Sequence, residues 1–277
     1  MNANVVFDHL EVNGLDVNLH LLTTGDQTGV PVIFLPGIVT YSRSLAPLVE
    51  LMPKNWYSLI LDLRGRGKSS WPERGYLLND YVDDLLNVIN ALIDNPVAPI
   101  LVGQSMGARI AAAFAARWPS LISGMVLIDP PINGPGQRSI YAHSLEEFLE
   151  QKAAVDEGRM DAFRRYLPTF SDAKLEERAD EYRNVSKDAL IESYGSMVRE
   201  PFQAYVKAAT CPTLLLAAEK ADTIRAGELA TLRMINPRLR GEVVQGVTHM
   251  IAKDAPQKTA DLIINFVHGV HPSAIVD

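Results

Sequence analysis

The chain has a single cysteine, Cys211, in 277 residues. One thiol excludes both a disulfide framework and a cysteine-rich zinc site. Long apolar runs are lacking too: nowhere do about 18 uninterrupted apolar residues occur, the length a membrane span requires. The opening MNANVVFDHLEVNG carries neither a basic segment nor an apolar stretch, so no secretory leader is expected. Positive charge is in deficit, with 26 Lys and Arg against 33 Asp and Glu for a net charge of -7. Nucleic-acid binding needs a basic face, and this balance argues against it. No fixed-period repeat and no low-complexity segment interrupts the chain. What is present is 47% hydrophobic residues, enough for a sizeable core. A cytoplasmic α/β protein without membrane or nucleic-acid contacts is the expectation.

Two regimes of patterning follow one another. Phe7 to Val12 and Leu15 to Leu22 alternate in strand fashion around Asn13-Gly14, a strong signal for a tight hairpin. Short continuous apolar runs come next: Val30–Leu35, Tyr57–Leu61, Pro99–Val102, Met125–Ile128, Thr213–Leu216 and, more weakly, Glu242–Val244. Such runs suit strands buried on both faces of a parallel sheet, with helices crossing between them. Asn79 or Asp80 is placed to cap a helix through Leu92, Ala108 to Trp118 reads as a helix of small residues, and Pro256 opens a helix through His268. Trp56, Trp71 and Trp118 are expected in or near the core. The alternation stops at residues 131–209, which read as amphipathic helices starting near Ser144, Met160, Ser171 and Ser186, with a capping box at Ser144 and Glu147. The expected organisation is an α/β core of residues 1–130 and 210–277 with a helical lid, 131–209, inserted after the sixth predicted strand.

The sharpest chemical signal is Gly103-Gln104-Ser105-Met106-Gly107, a G-x-S-x-G between an apolar strand and a helix. A serine hydroxyl is a weak nucleophile at neutral pH and must be presented where a base can reach it. A tight strand-to-helix turn does this, and the helix N-terminus behind it supplies unpaired N–H groups where an oxyanion would form. Gly67-Lys68-Ser69 tempts a phosphate-loop reading, but that pattern needs a glycine where Asp62 stands. Gly134 and Gly136 likewise lack the rest of a dinucleotide fingerprint. Two carboxylates compete as the partner of a general base: Asp129, directly after the sixth run and stiffened by Pro130 and Pro131, and Asp222, after the seventh. Glu219 is a third, weaker candidate, and Asp222 would equally cap a helix from Thr223 to Ile235. Local patterning leaves the choice open.

With these motifs in place the chain resembles the α/β-hydrolase superfamily over nearly its whole length. The resemblance implies an eight-stranded, mostly parallel sheet with helices on both faces. Leu35-Pro36-Gly37-Ile38 stands where the family has His-Gly-x, which implies an oxyanion hole built from the backbone N–H groups of Ile38 and Met106. Pro36 replaces the common histidine, but the donors are main-chain. Asp62-Leu63-Arg64-Gly65-Arg66-Gly67-Lys68-Ser69 looks like the family's D-x-R-G-x-G-x-S segment and is read as a structural turn. The family order of nucleophile, acid and histidine leaves His249, His268 and His271 as bases. His249, in Gly246-Val247-Thr248-His249-Met250 after the last strand, is the one placed to reach the sheet edge; His268 and His271 read as surface residues.

A closer likeness, carried by GQSMGARIAAAFAARWP, LIDPP and GVTHM, is to the N-formylmaleamate deformylases of bacterial nicotinate breakdown. In that group the acid follows strand six, which implies Asp129. It also implies cleavage of a small anionic amide to maleamate and formate without a metal or organic cofactor. An esterase, a lactonase, a carbon–carbon bond hydrolase or a non-catalytic binding member are the alternatives on the same scaffold. An anionic substrate calls for donors, and Tyr41, Ser42, Arg43, Arg138, Tyr141, Arg164, Arg165 and Arg199 are the candidates, each of which also reads as an ordinary solvated side chain.

Overall fold

The computed structural model describes residues 5–14, 16–94, 96–132 and 143–272. Its strands are β1 (Asp8–Asn13), β2 (Asn18–Gly25), β3 (Val30–Leu35), β4 (Trp56–Leu61), β5 (Ile100–Gln104), β6 (Gly124–Ile128), β7 (Thr213–Ala218) and β8 (Leu239–Val244). They form one sheet in the order β1-β2-β4-β3-β5-β6-β7-β8. The pairs β1–β2 and β2–β4 are antiparallel and the rest parallel. Successive side chains of the central strands serve two separate cores. Ile33, Leu35, Leu59, Leu61, Leu101, Met125, Leu127 and Leu215 enter one. Val32, Phe34, Ile60, Ile100, Val102, Val126, Ile128 and Leu216 enter the other. Burial on both faces is why these strands read as unbroken apolar runs.

The first hairpin differs from the tight turn expected at Asn13-Gly14. Asn13 pairs with Asn18, and the Gly14 N–H donates to the Val17 carbonyl at 2.8 Å, so the connection is longer and β2 starts at Asn18. Gly14 is not among the glycines with positive φ, so the geometry that favours Asn-Gly is not used.

The helices are α1 (Ser42–Val49), α2 (Leu78–Leu92), α3 (Met106–Arg117), α4 (Leu145–Asp156), α5 (Met160–Arg164), α6 (Asp172–Arg183), α7 (Lys187–Arg199), α8 (Phe202–Ala208), α9 (Ala226–Ile235), α10 (Ile251–Asp254) and α11 (Pro256–Val270). Leu85 of α2, Phe114 of α3 and Leu232 of α9 pack in the first core. Leu45 and Leu48 of α1, Ile251 of α10 and Ile263 of α11 pack in the second. Asp80 caps α2 from inside its first turn, its carboxylate accepting the Leu77 N–H at 2.8 Å, rather than from the position before the helix. The capping box of α4 forms as expected: Ser144 Oγ accepts from Glu147 N–H at 3.1 Å and the Glu147 carboxylate from Ser144 N–H at 2.9 Å. Trp56 is fully buried and Trp118 half-buried. Trp71, at 45% exposure, stands in the surface loop before α2 rather than in the core.

Among the described residues, α4 to α8 and no strand lie between β6 and β7. Phe148, Phe163, Tyr182, Leu190 and Phe202 of these helices join the first core, so they pack on the same apolar cluster as α2 and α3. Backbone hydrogen bonds add a seam: Gly67 N–H to Asn184 O at 2.9 Å and Ser186 N–H to Gly65 O at 2.8 Å. Arg109 of α3 closes it from below. Its fully buried guanidinium donates to the carbonyls of Pro131 at 2.7 Å, Met197 at 2.9 Å and Glu200 at 2.8 Å, and lies 5.4 Å over the Phe202 ring. Burial, the largest influence, lowers its pKa to about 10, with Glu200 acting in the opposite sense. Arg109→Met strips those carbonyls of their donor. It is expected to lower the unfolding free energy by about 3 kcal/mol, read as a lower urea midpoint at unchanged slope.

Candidate active site

Ser105 is the hinge between β5 and α3, with φ 54° and ψ -114°. A non-glycine residue at positive φ is strained by about 1–3 kcal/mol and needs surroundings that hold it there. Two glycines make the turn possible. A Cβ on Gly103 would sit 2.3 Å from the Gly107 carbonyl oxygen, and one on Gly107 would sit 2.1 Å from the Leu35 carbonyl oxygen. The loop after β3 lies alongside at a looser distance, since a Cβ on Gly37 would meet the Ser105 Cβ at 3.4 Å. Ile38 therefore follows a residue in contact with Ser105, and Met106 opens α3, where the first N–H groups have no intrahelical acceptor. Both residues are buried.

His249 lies between β8 and α10, and its ring reaches back over the ends of β5 and β6. Its Nε2 is 3.0 Å from Ser105 Oγ and its Nδ1 is 2.6 Å from Asp129 Oδ2. Asp129 follows β6 with φ 45° and is fully buried. Its N–H donates to Leu216 O at 2.7 Å, and its second oxygen, Oδ1, accepts the Ala218 N–H at 3.0 Å. The carboxylate is thus locked to β7 on one side while it faces the imidazole on the other. A carboxylate only accepts, so Nδ1 carries the proton, and Nε2 presents its lone pair to the serine hydroxyl. Thr223 Oγ1 lies 3.2 Å from the same Nδ1. Hydroxyl, base and orienting carboxylate in this line can take a proton from the hydroxyl as it attacks a carbonyl and return it to a leaving group.

The profile of the alpha/beta hydrolase family matches residues 32–262. The chain belongs to that family. Among relatives of this alpha/beta hydrolase, N-formylmaleamate deformylase of Pseudomonas putida is 28% identical over 257 residues, 92% of this chain and 93% of that one. The 2-(acetamidomethylene)succinate hydrolase of Mesorhizobium japonicum is 27% identical over 285 residues, 96% of this chain and 99% of that one. The crystal structure of an N-formylmaleamic acid deformylase from Pseudomonas putida S16 superposes with a TM-score of 0.82 at 25% identity, covering 92% of this chain and all of that one.

The other residues singled out in the sequence of this alpha/beta hydrolase scatter. Asp222 is exposed, with its oxygens held by Arg225 at 2.7 Å; α9 begins only at Ala226, so Asp222 is not its cap. Glu219 accepts the Gly246 N–H at 2.7 Å. His268 is half-buried, edge-on to Trp56, and His271 is half-buried with a ring nitrogen 2.7 Å from Ser123 Oγ, so both lie away from Ser105. Tyr41 donates to Asp180 Oδ2 at 2.5 Å, and burial together with that carboxylate raises its pKa. Ser42 is buried at the start of α1, and Arg43 is exposed. Arg164 pairs with Asp172, while Arg165 and Arg199 are exposed. Arg138 and Tyr141 lie outside the described residues. The Asp62–Ser69 segment is the structural turn expected: the Asp62 carboxylate accepts the N–H groups of Ser42 at 2.6 Å and Lys68 at 3.0 Å and lies 2.7 Å from His20 Nδ1. Among the described residues no three His, Cys, Asp or Glu side chains are arranged to hold a metal ion.

A polar cluster that the sequence reading missed joins α6 to both sides of the site. Glu181 is buried and accepts from Ser44 Oγ of α1 at 2.7 Å, from Arg178 at 2.7 Å and from Lys253 of α10 at 2.8 Å. Arg178 lies 5.0 Å over the Tyr182 ring. In the sequence α6 reads as an amphipathic helix, its inward stripe being Leu175, Ala179 and Tyr182, and nothing local marks Glu181 as buried beside them. Burial pushes the Glu181 carboxyl up, but Arg178 and Lys253 outweigh it and hold it below its ordinary range. A carboxyl depressed in the folded state stabilises above its unfolded pKa of about 4.3, and that stability is lost as pH falls through the lower folded value. Glu181→Gln is expected to be about 3 kcal/mol less stable than wild type near neutrality. The gap should close below about pH 4 in urea titrations across pH.

Proposed function

We propose that the chain is a serine hydrolase that cleaves the C–N bond of a small anionic amide, N-formylmaleamate, to give maleamate and formate. His249 takes the proton from Ser105 as Oγ attacks the formyl carbon, and Asp129 stabilises the imidazolium. The N–H groups of Ile38 and Met106 receive the oxyanion. Collapse expels the amide nitrogen, which His249 protonates, leaving a formyl ester on Ser105. Water, deprotonated by His249, then attacks that ester, releases formate and restores the hydroxyl. The leaving nitrogen is conjugated to a second carbonyl and so departs more readily than a simple amine.

The observation that carries this reading is His249 bridging Ser105 at 3.0 Å and Asp129 at 2.6 Å. The names of two relatives spanning nearly the whole chain, both hydrolases of N-acylated unsaturated acids, narrow the substrate class. In this reading residues 131–209 act as a lid over Ser105 and His249.

Purified protein given N-formylmaleamate should release formate and maleamate in equal amounts. Ser105→Ala should lower kcat by about 10,000-fold or more and Asp129→Ala by about 1,000-fold, while Asp222→Ala stays within about twofold. Formate release retained in Ser105→Ala would end the serine mechanism. Turnover of p-nitrophenyl acetate without formate release would reassign the substrate to esters.

A further inference from the structure

Arg66 has no place in the chemistry above, yet it is fully buried, at 0% exposure. Burying a charge is costly unless it is paired, and its neighbour in the same turn obeys that rule: Arg64 is held by Asp84 at 2.7 Å and by Asp16 at 3.0 Å. Arg66 does not. Among the described residues its hydrogen-bond partners are all neutral: the Ile38 carbonyl, the Arg64 carbonyl, the Tyr81 hydroxyl and Ser193 Oγ. The turn has other means of support, since Asp62 and Ser69 already bind it internally, with Ser69 Oγ donating to Asp62 O at 2.5 Å.

The direction of the guanidinium supplies a reason for the charge. Nε and Nη2 both reach the Ile38 carbonyl at 3.1 Å, and Nη2 also lies 4.0 Å from Met106 Sδ and 3.1 Å from Ser193 Oγ of α7. Ile38 and Met106 are the two residues whose N–H groups are proposed to bind the oxyanion. On the other side, the Gly37 N–H is held by Thr40 Oγ1 at 2.6 Å. The Ile38 N–H therefore sits between two anchored peptide groups, one of them anchored by a buried cation directly behind the hole. Preorganised donors and fixed positive charge favour an oxyanion most when they need not reorient as it forms.

We propose that Arg66 is the positioning residue of the oxyanion hole: it fixes the Ile38 peptide, supplies unneutralised positive charge behind both donors, and ties their geometry to α7 through Ser193. The proposal rests on the serine-hydrolase reading, and the test separates the two. A fluorophosphonate probe should label wild-type protein at Ser105, and p-nitrophenyl acetate should be turned over. Arg66→Gln is then expected to lower kcat about 100-fold with KM within about threefold, and to slow labelling in parallel. Arg66→Lys, which keeps the charge without the fork, should recover about tenfold of that loss. If Arg66→Gln fails to fold by near-ultraviolet circular dichroism, Arg66→Lys and Ser193→Ala decide. Ser193→Ala should lower kcat about threefold to tenfold at unchanged KM. Unchanged kcat in a folded Arg66→Gln overturns the proposal, as does unchanged kcat in both Arg66→Lys and Ser193→Ala, or an effect confined to KM. Wild-type protein that is not labelled at Ser105 overturns the hydrolase reading and this proposal with it.

Discussion

The hydrogen bond from His249 Nδ1 to a fully buried Asp129 is the contact on which the site depends. It sets the tautomer of the imidazole, and so decides that a lone pair faces the Ser105 hydroxyl. The sheet builds that contact at a cost in backbone strain. Among the described residues the non-glycine residues with positive φ are Ser105 and Asp129, one at the end of each of two adjacent strands. Strain of this kind persists only where packing over-determines it, and its confinement to these two positions marks the sheet edge as the place where geometry matters more than stability.

The rest of the fold reads as support for that edge. Strands β3, β5, β6 and β7 are buried on both faces, so the loops leaving them start from a rigid base. The helices between β6 and β7 are fastened by buried polar groups as well as by apolar packing. Arg109 gathers carbonyls from beneath, and Glu181 draws in Ser44 and Lys253 from the segments that follow the β3 loop and His249. Half-satisfied, such groups would be destabilising; satisfied, they hold one arrangement against its neighbours.

The sequence made some of this legible, for physical reasons. Doubly buried strands advertise themselves as apolar runs, and G-x-S-x-G survives because a Cβ at Gly103 or Gly107 would strike backbone. The carboxylate beside His249 was not legible from local pattern. Asp129 and Asp222 each follow a strand, and what separates them is the path of the chain: Asp222 turns outward to Arg225, and Asp129 is pinned by Ala218 N–H. The resemblance to deformylases pointed to Asp129 where spacing did not. Charged residues were the least legible: nothing local marks Arg66 or Glu181 as buried, because the burial of each depends on elements far away in the chain. The long hairpin loop and exposed Trp71 are failures of the same kind, local preferences overruled by where neighbouring elements lie.

The central claim is that Asp129, and no other carboxylate, holds the His249 Nδ1 proton. Proton NMR in water reads it directly, because a strongly hydrogen-bonded imidazole N–H resonates well downfield of the amide envelope. The account predicts such a resonance in wild-type protein and in Asp222→Ala, and its loss in both Asp129→Ala and His249→Ala. A signal that survived in Asp129→Ala and vanished in Asp222→Ala would contradict it.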